Sequence, residues 1–162
     1  MTRLSSCCRR RRSGMDHRTI SLPAFTVVGI SVRTSNERPQ EIGRHWQRFY
    51  AERVAVRIPN KKSESIYSVY LDYEGDHSKP YTLMIGCEVN DALSPPGDFE
   101  SRTVPAAKYA VIPAHGKQPD SVIAAWQQVW SSDLARTYSG DFDLYDRQDP
   151  SGQEVNIYVA IR

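Results

Sequence analysis

"HWQRFY", residues 45–50, returns later in the chain as "AWQQVW", residues 125–130. Each has a tryptophan and a glutamine, then a polar residue, an apolar residue and an aromatic. Around the first copy, Ile42, Trp46, Phe49 and Tyr50 fall at i, i+4, i+7 and i+8, which is one face of a helix. Around the second, Val122 or Ile123, Trp126, Val129, Trp130 and Leu134 form a similar stripe. Pro39 and Pro119 suit the first turns of these helices, and Glu41 and Asp120 suit their positive ends.

The flanking segments repeat in the same order. "TISLPAFTVVGISVRT" before the first helix reads as a strand because it is rich in β-branched residues. "FESRTVPAAKYAVIPAHG" reads as its counterpart before the second. After the first helix come strands in "ESIYSVYLDYEG" and "YTLMIGCEVND", separated by the turn-rich "EGDHSKP". After the second come "DFDLYDRQD" and "EVNIYVAIR", split by "DPSGQ". Trp46 and Trp126 are 80 positions apart, while "SVY" at Ser68–Tyr70 and "DLY" at Asp143–Tyr145 are 75 apart. Shared motifs, order and offsets imply duplication of a βαββ unit. The expected fold is α+β, with pseudo-twofold symmetry, antiparallel sheets, two main helices and a central ligand groove. The expected domain spans residues 15–162, with halves at about 16–92 and 98–162.

The net charge of +2 hides a division. "MTRLSSCCRRRRSG", residues 1–14, holds five arginines and no acid, leaving 16 basic against 19 acidic residues in the rest. The body is mildly acidic, which argues against direct nucleic-acid binding by it, since duplex binding needs a clustered basic face. "MDHRTI" at Met15 reads as the natural start, and residues 1–14 as a disordered or upstream extension. No apolar run is long enough to cross a membrane in helical form. Cys7 and Cys8 belong to the extension. Cys87 is the body's one cysteine and reads as a core thiol, which suggests a reducing, cytoplasmic compartment. The four histidines are scattered, no metal-ligand spacing or catalytic motif is present, and no cofactor is expected.

Two acids interrupt strands, Glu88 and Asp143. Strand alternation puts Asp143 and Tyr145 on one face and Phe142 and Leu144 on the other. If Phe142 and Leu144 pack under a helix, Asp143 and Tyr145 occupy the opposite face. Glu88 shares a face with Gly86 and Met84. A carboxylate on an enclosed face costs desolvation energy that a cationic ligand offsets, and aromatic rings add cation–π attraction.

The segments "FTVVGISVRTSN", "IGRHWQRFY", "IYSVYLDYEGD", "YTLMIGCEV", "VPAAKYAVIPAHG", "VIAAWQQVW", "DFDLYD" and "VNIYVAIR" together resemble the GyrI-like small-molecule-binding domains. These are also called bacterial transcription activator effector-binding domains. The resemblance covers roughly residues 16–162. It implies a duplicated βαββ fold whose groove binds hydrophobic, often cationic, small molecules; with no catalytic motif in the residues, a non-enzymatic binder is the first reading. The family usually has a glutamate where this chain has Asp143, so the carboxylate is kept with one methylene less reach. Tyr145 and Trp126 carry over beside it; Glu88, Trp46 and Tyr70 rest more on the repeat. Family regulators place a helix-turn-helix before this domain, and too few residues precede the first strand here for one. The chain is therefore expected to be a stand-alone binder. Alternatives are a protein-interaction module acting on a DNA topoisomerase or a transcription regulator, and a hydrolase using Glu88 or Asp143 as general base.

Overall fold

The computed structural model describes residues 17–91, 94–146 and 154–162. The basic extension with Cys7 and Cys8, the expected start at Met15 and the whole of the "DPSGQ" turn lie outside the described residues. The chain runs β1 (Arg18–Leu22), β2 (Phe25–Thr34), α1 (Pro39–Ala51), α2 (Val54–Arg57), β3 (Ile66–Leu71), β4 (Tyr81–Val89), β5 (Glu100–Val104), β6 (Ala107–Ala114), α3 (Asp120–Trp130), β7 (Asp141–Tyr145) and β8 (Val155–Ile161). The eight strands of the described residues form one antiparallel sheet in the order β1-β6-β8-β7-β3-β4-β2-β5.

That order reads the same from both ends once the halves are exchanged. β1 corresponds to β5, β2 to β6, β3 to β7 and β4 to β8, so the duplication expected from sequence is present in the topology. The centre is the β3–β7 pair, where Ser68 lies opposite Asp143. These two residues are also repeat equivalents, 75 positions apart. The pseudo-twofold axis therefore passes between them.

Each leading strand differs from the sequence expectation: it is two strands, not one. Pro23–Ala24 separates β1 from β2, and Pro105–Ala106 separates β5 from β6. A proline has no N–H for a ladder, so it marks a break in pairing. Each short leading strand joins the other half: β1 pairs with β6, and β5 with β2. The halves are thus clasped at both sheet edges as well as at the centre.

α1 starts with proline at its first turn and packs on β2 and β4; α3 packs on β6 and β8. α3 ends at Trp130, short of the expected Leu134. Hydroxyls of Ser131 and Ser132 donate to carbonyls of Gln127, Gln128 and Val129 and close the last turn. Leu134 still packs on the α3 cluster from beyond the helix.

Both helices lie on one face of the sheet. Val28, Ile30, Leu83 and Ile85 pack with Phe49 under α1, and Ile112, Ile157 and Val159 pack with Val129 under α3. The other face has its own apolar cluster of Val27, Val69, Met84, Tyr109, Phe142 and Tyr158. Phe142 and Tyr158 stack there at 4.4 Å. Phe142 therefore does not lie under a helix. Asp143 and Tyr145 share a face as expected, but it is the helix-bearing one. On the Phe142 face, Gly29 faces Gly86 across β2 and β4. A Cβ on either would run into the opposite backbone, at Ile85 O or Val28 O. Only paired glycines let the two backbones approach this closely.

Replacing Gly86 with alanine is therefore expected to destabilise the fold by at least about 2 kcal/mol. Gly43→Ala on α1, where an added Cβ meets no other described part of the chain within 4 Å beyond the helix's own backbone, is expected to stabilise it by about 0.5–1 kcal/mol. Chemical denaturation of the two variants checks both signs.

Candidate functional site

A cavity of about 320 Å³ lies on the helix-bearing face, over the axis between α1 and α3. Its walls are largely one structure used twice. Pro39, Ile42 and Trp46 line it from α1; Pro119, Val122 and Trp126, each 80 positions later, line it from the α3 side. The floor is Tyr70 and Tyr145, equivalent residues of β3 and β7. Each tryptophan meets the tyrosine of the other half edge-on: Trp46 with Tyr145, and Trp126 with Tyr70, both at 5.1 Å and 68°. The repeat thus builds a symmetric aromatic box.

The polar groups break this symmetry. On the axis, the first half supplies Ser68 and the second supplies Asp143. Asp143 is 1% exposed. Tyr70 Oη donates to its Oδ2 at 2.7 Å, and Trp126 Nε1 donates to its Oδ1 at 2.8 Å. Burial pushes the Asp143 carboxyl up to about 7. The bonds from Tyr70 and Trp126 pull it back down in part, and the nearby Asp141 charge adds to the rise. Burial also keeps Tyr70 protonated well above its ordinary range, so it remains a donor.

A second asymmetric cluster closes one end. Asp141, on the same strand face as Asp143, is fully buried. It accepts hydrogen bonds from Arg136 Nη2 at 2.8 Å, Tyr73 Oη at 2.7 Å and Ala160 N at 2.8 Å. Tyr73 and His77 come from the β3–β4 connection, and His77 stacks on Trp130 of α3 at 5.5 Å and 8°. Tyr81 Oη donates to Asn36 Oδ1, and Asn36 Nδ2 donates to the His77 carbonyl, which ties this connection to the start of α1.

Of the residues expected from sequence, the fold gathers Asp143, Tyr145, Trp126, Trp46 and Tyr70 around the cavity. It does not bring Glu88 there. Glu88 shares the sheet face of Met84 and Tyr67, accepts a bond from Tyr67 Oη at 3.0 Å, and pairs with Lys62 at 3.2 Å. Its charge is met by protein groups on the face away from the helices. Sequence reasoning missed Asp141, Arg136, His77, Asn36, Tyr81 and Trp130 as site residues. The i, i+2, i+4 run Asp141, Asp143, Tyr145 was a usable signal for Asp141. Arg136 and His77 sit in irregular segments, where no period points to a face.

Over residues 18–161 the chain matches the model of a family described as integron-associated effector binding protein, Cass2. It is 34% identical over 162 residues to the Bacillus subtilis (strain 168) protein YobU, whose name assigns it provisionally to transcriptional regulation. That alignment covers 92% of this chain and 99% of YobU. It is 27% identical over 168 residues to the transcriptional regulator BrlR of Pseudomonas aeruginosa, covering 98% of this chain but 60% of BrlR. The chain thus spans about three fifths of that regulator. Among solved structures, the integron cassette protein VCH_CASS2 of Vibrio cholerae superposes with a TM-score of 0.70 at 28% identity, covering 90% of this chain and 95% of the other. SAV2435, solved bound to tetraphenylphosphonium, superposes with a TM-score of 0.74 at 23% identity, covering 91% and 94%. At that identity the likeness to SAV2435 is one of fold. The matched family is an effector-binding one rather than a catalytic one; the narrower GyrI-like designation stays a resemblance.

Between 3.8, the ordinary aspartate value, and about 7, the folded protein holds a proton on Asp143 that the unfolded chain has lost. Its contribution to stability therefore falls as pH rises through that window and levels off above it. Asp143→Asn is expected to lose this slope, so its stability relative to the parent improves from about pH 4 to about pH 7 and then stays constant. Denaturant titrations across pH measure the difference.

Proposed function

The chain belongs to the integron-associated effector-binding protein family, and we propose that within it the protein binds amphipathic, cationic small molecules, without turnover, in the cavity between its two repeats. The observation that carries this reading is Asp143. Its carboxyl is buried on the cavity's symmetry axis, and its hydrogen-bond partners, Tyr70 and Trp126, are neutral donors. Two neutral donors do not compensate a buried negative charge. A positive ligand would supply what is missing, and the edge-on aromatic box around it suits a delocalised or quaternary cation. The cavity's apolar lining suits the hydrophobic part of such a molecule.

Support from relatives runs the same way. SAV2435, which shares the fold, is held with tetraphenylphosphonium, a bulky hydrophobic cation. The names of YobU and BrlR point to transcriptional regulation, which suits a sensor whose output passes through another domain or protein. Asp143, Tyr145, Trp126, Trp46 and Tyr70 are the ligand contacts in this reading. No helix of the described residues is long and apolar enough to cross a membrane, and the buried Cys87 thiol suits the reducing cytoplasm as the place of action.

A cation binds the ionised carboxyl, so affinity depends on the fraction of Asp143 that has lost its proton. For tetraphenylphosphonium, affinity is expected to be level above about pH 7 and to fall roughly tenfold per unit below it. All three tryptophans of the chain line the cavity, so fluorescence quenching reports binding directly. Asp143→Asn should bind weakly and without this pH dependence. Parent-like binding by that variant, or no binding by the parent at any pH, would overturn the proposal.

A further inference from the structure

Arg136 lines the same cavity as Asp143 and is 9% exposed, with its side chain at 5%. Only part of its guanidinium is used by the protein. Nη2 donates to Asp141, while Nε and Nη1 are buried with no hydrogen-bond partner among the described residues. Burying N–H groups of a cation unpaired costs more than an ordinary hydrogen bond returns, so an arginine held this way calls for an explanation.

Its placement is strongly determined. The guanidinium lies 4.2 Å from the Tyr138 ring centre, 5.6 Å from that of Trp126 and 6.0 Å from that of Tyr73. Tyr138 supports it from a left-handed backbone conformation, φ 54°, which is costly for a bulky residue. The backbone on either side is pinned to the end of β8: Thr137 N donates to Ala160 O, and Arg162 N donates to Ala135 O. The charge is also balanced without a ligand. Asp141 receives Arg136, Tyr73 and a backbone N–H, so the Arg136–Asp141 pair is complete as an ion pair. The two spare donors are thus surplus to the pair.

Trp126 links these donors to Asp143. Its indole N–H holds the Asp143 carboxyl while its ring lies beside the Arg136 guanidinium. The two polar ends of the cavity are therefore about one indole apart. The geometry points to Arg136 as a second anchor that selects ligands bearing a hydrogen-bond acceptor, foremost a carboxylate, across an aromatic ring from their positive group. The preferred ligand class is then an aromatic zwitterion rather than a plain hydrophobic cation. Nε–H and Nη1–H lie on different edges of the guanidinium, so a carboxylate takes one of them in a single charge-assisted hydrogen bond. This inference rests on the proposal that Asp143 receives the cationic end.

The test compares phenyltrimethylammonium with para-(trimethylammonio)benzoate, which differ only in the carboxylate, by tryptophan fluorescence at about pH 8; tetraphenylphosphonium serves as a control. The parent is expected to bind the benzoate at least about tenfold more tightly. Arg136→Lys keeps a charge beside Asp141 but loses the forked donors. It should lose the preference and bind the two compounds equally. Should that variant not fold, Arg136→Gln combined with Asp141→Asn removes the buried ion pair together and should show the same loss of preference. Equal binding of the two compounds by the parent, or a preference that survives the loss of Arg136, overturns the inference and leaves the cation reading standing. Failure of the parent to bind either compound or tetraphenylphosphonium overturns both.

Discussion

β3 and β7 pair at the middle of the sheet with Ser68 opposite Asp143, and the character of the cavity depends on that pairing. Equivalent residues of a duplicated unit meet only on the symmetry axis. Everything on the axis is therefore seen by both halves at once. With serine in both places the floor would be neutral; with aspartate in both, two buried carboxyls would repel each other across one strand pair. One of each gives a single acid where both aromatic walls converge.

Two carboxyls sit two residues apart on one face of β7, and their surroundings separate them. Asp141 has an arginine, a tyrosine hydroxyl and a backbone amide, which together satisfy a charge. Asp143 has a hydroxyl and an indole N–H, which leave its carboxyl balanced near neutrality. The first is a fixed structural ion pair that closes one end of the cavity. The second can give up its proton when a positive charge arrives. The same residue type thus has two roles, decided by the donors the fold brings to each.

The aromatic frame and the clasped edges serve this arrangement. Mutual edge-on contact between Trp46 and Tyr145, and between Trp126 and Tyr70, means that neither helix positions its own half alone. β1 and β5 reinforce this by exchanging partners at the sheet margins. A cavity between two repeats would ordinarily be sensitive to their relative motion. Here three separate strand pairings cross between the halves: β1–β6, β3–β7 and β2–β5. The paired glycines 29 and 86 let β2 and β4 approach closely on the helix-free face, the face on which Phe142 and Tyr158 stack.

The residues alone determined the duplicated unit, the two helix stripes, and the fact that Asp143 and Tyr145 share a face. Each of these follows from a local period, 3.6 in a helix and 2 in a strand, that a chain carries whatever its partners are. They could not say which sheet face the helices cover, because alternation sorts residues into two sets without naming the buried one. Hence Phe142 turned out to lie away from the helices, and Glu88 behind the sheet with Lys62. Pro23 and Pro105 were a local signal of a break, but nothing local could show that the short pieces they cut off pair across the halves. Arg136 and His77 became cavity residues only through long-range contacts of irregular segments. Contacts between distant parts of the chain have no period in sequence, and only the closed fold selects them.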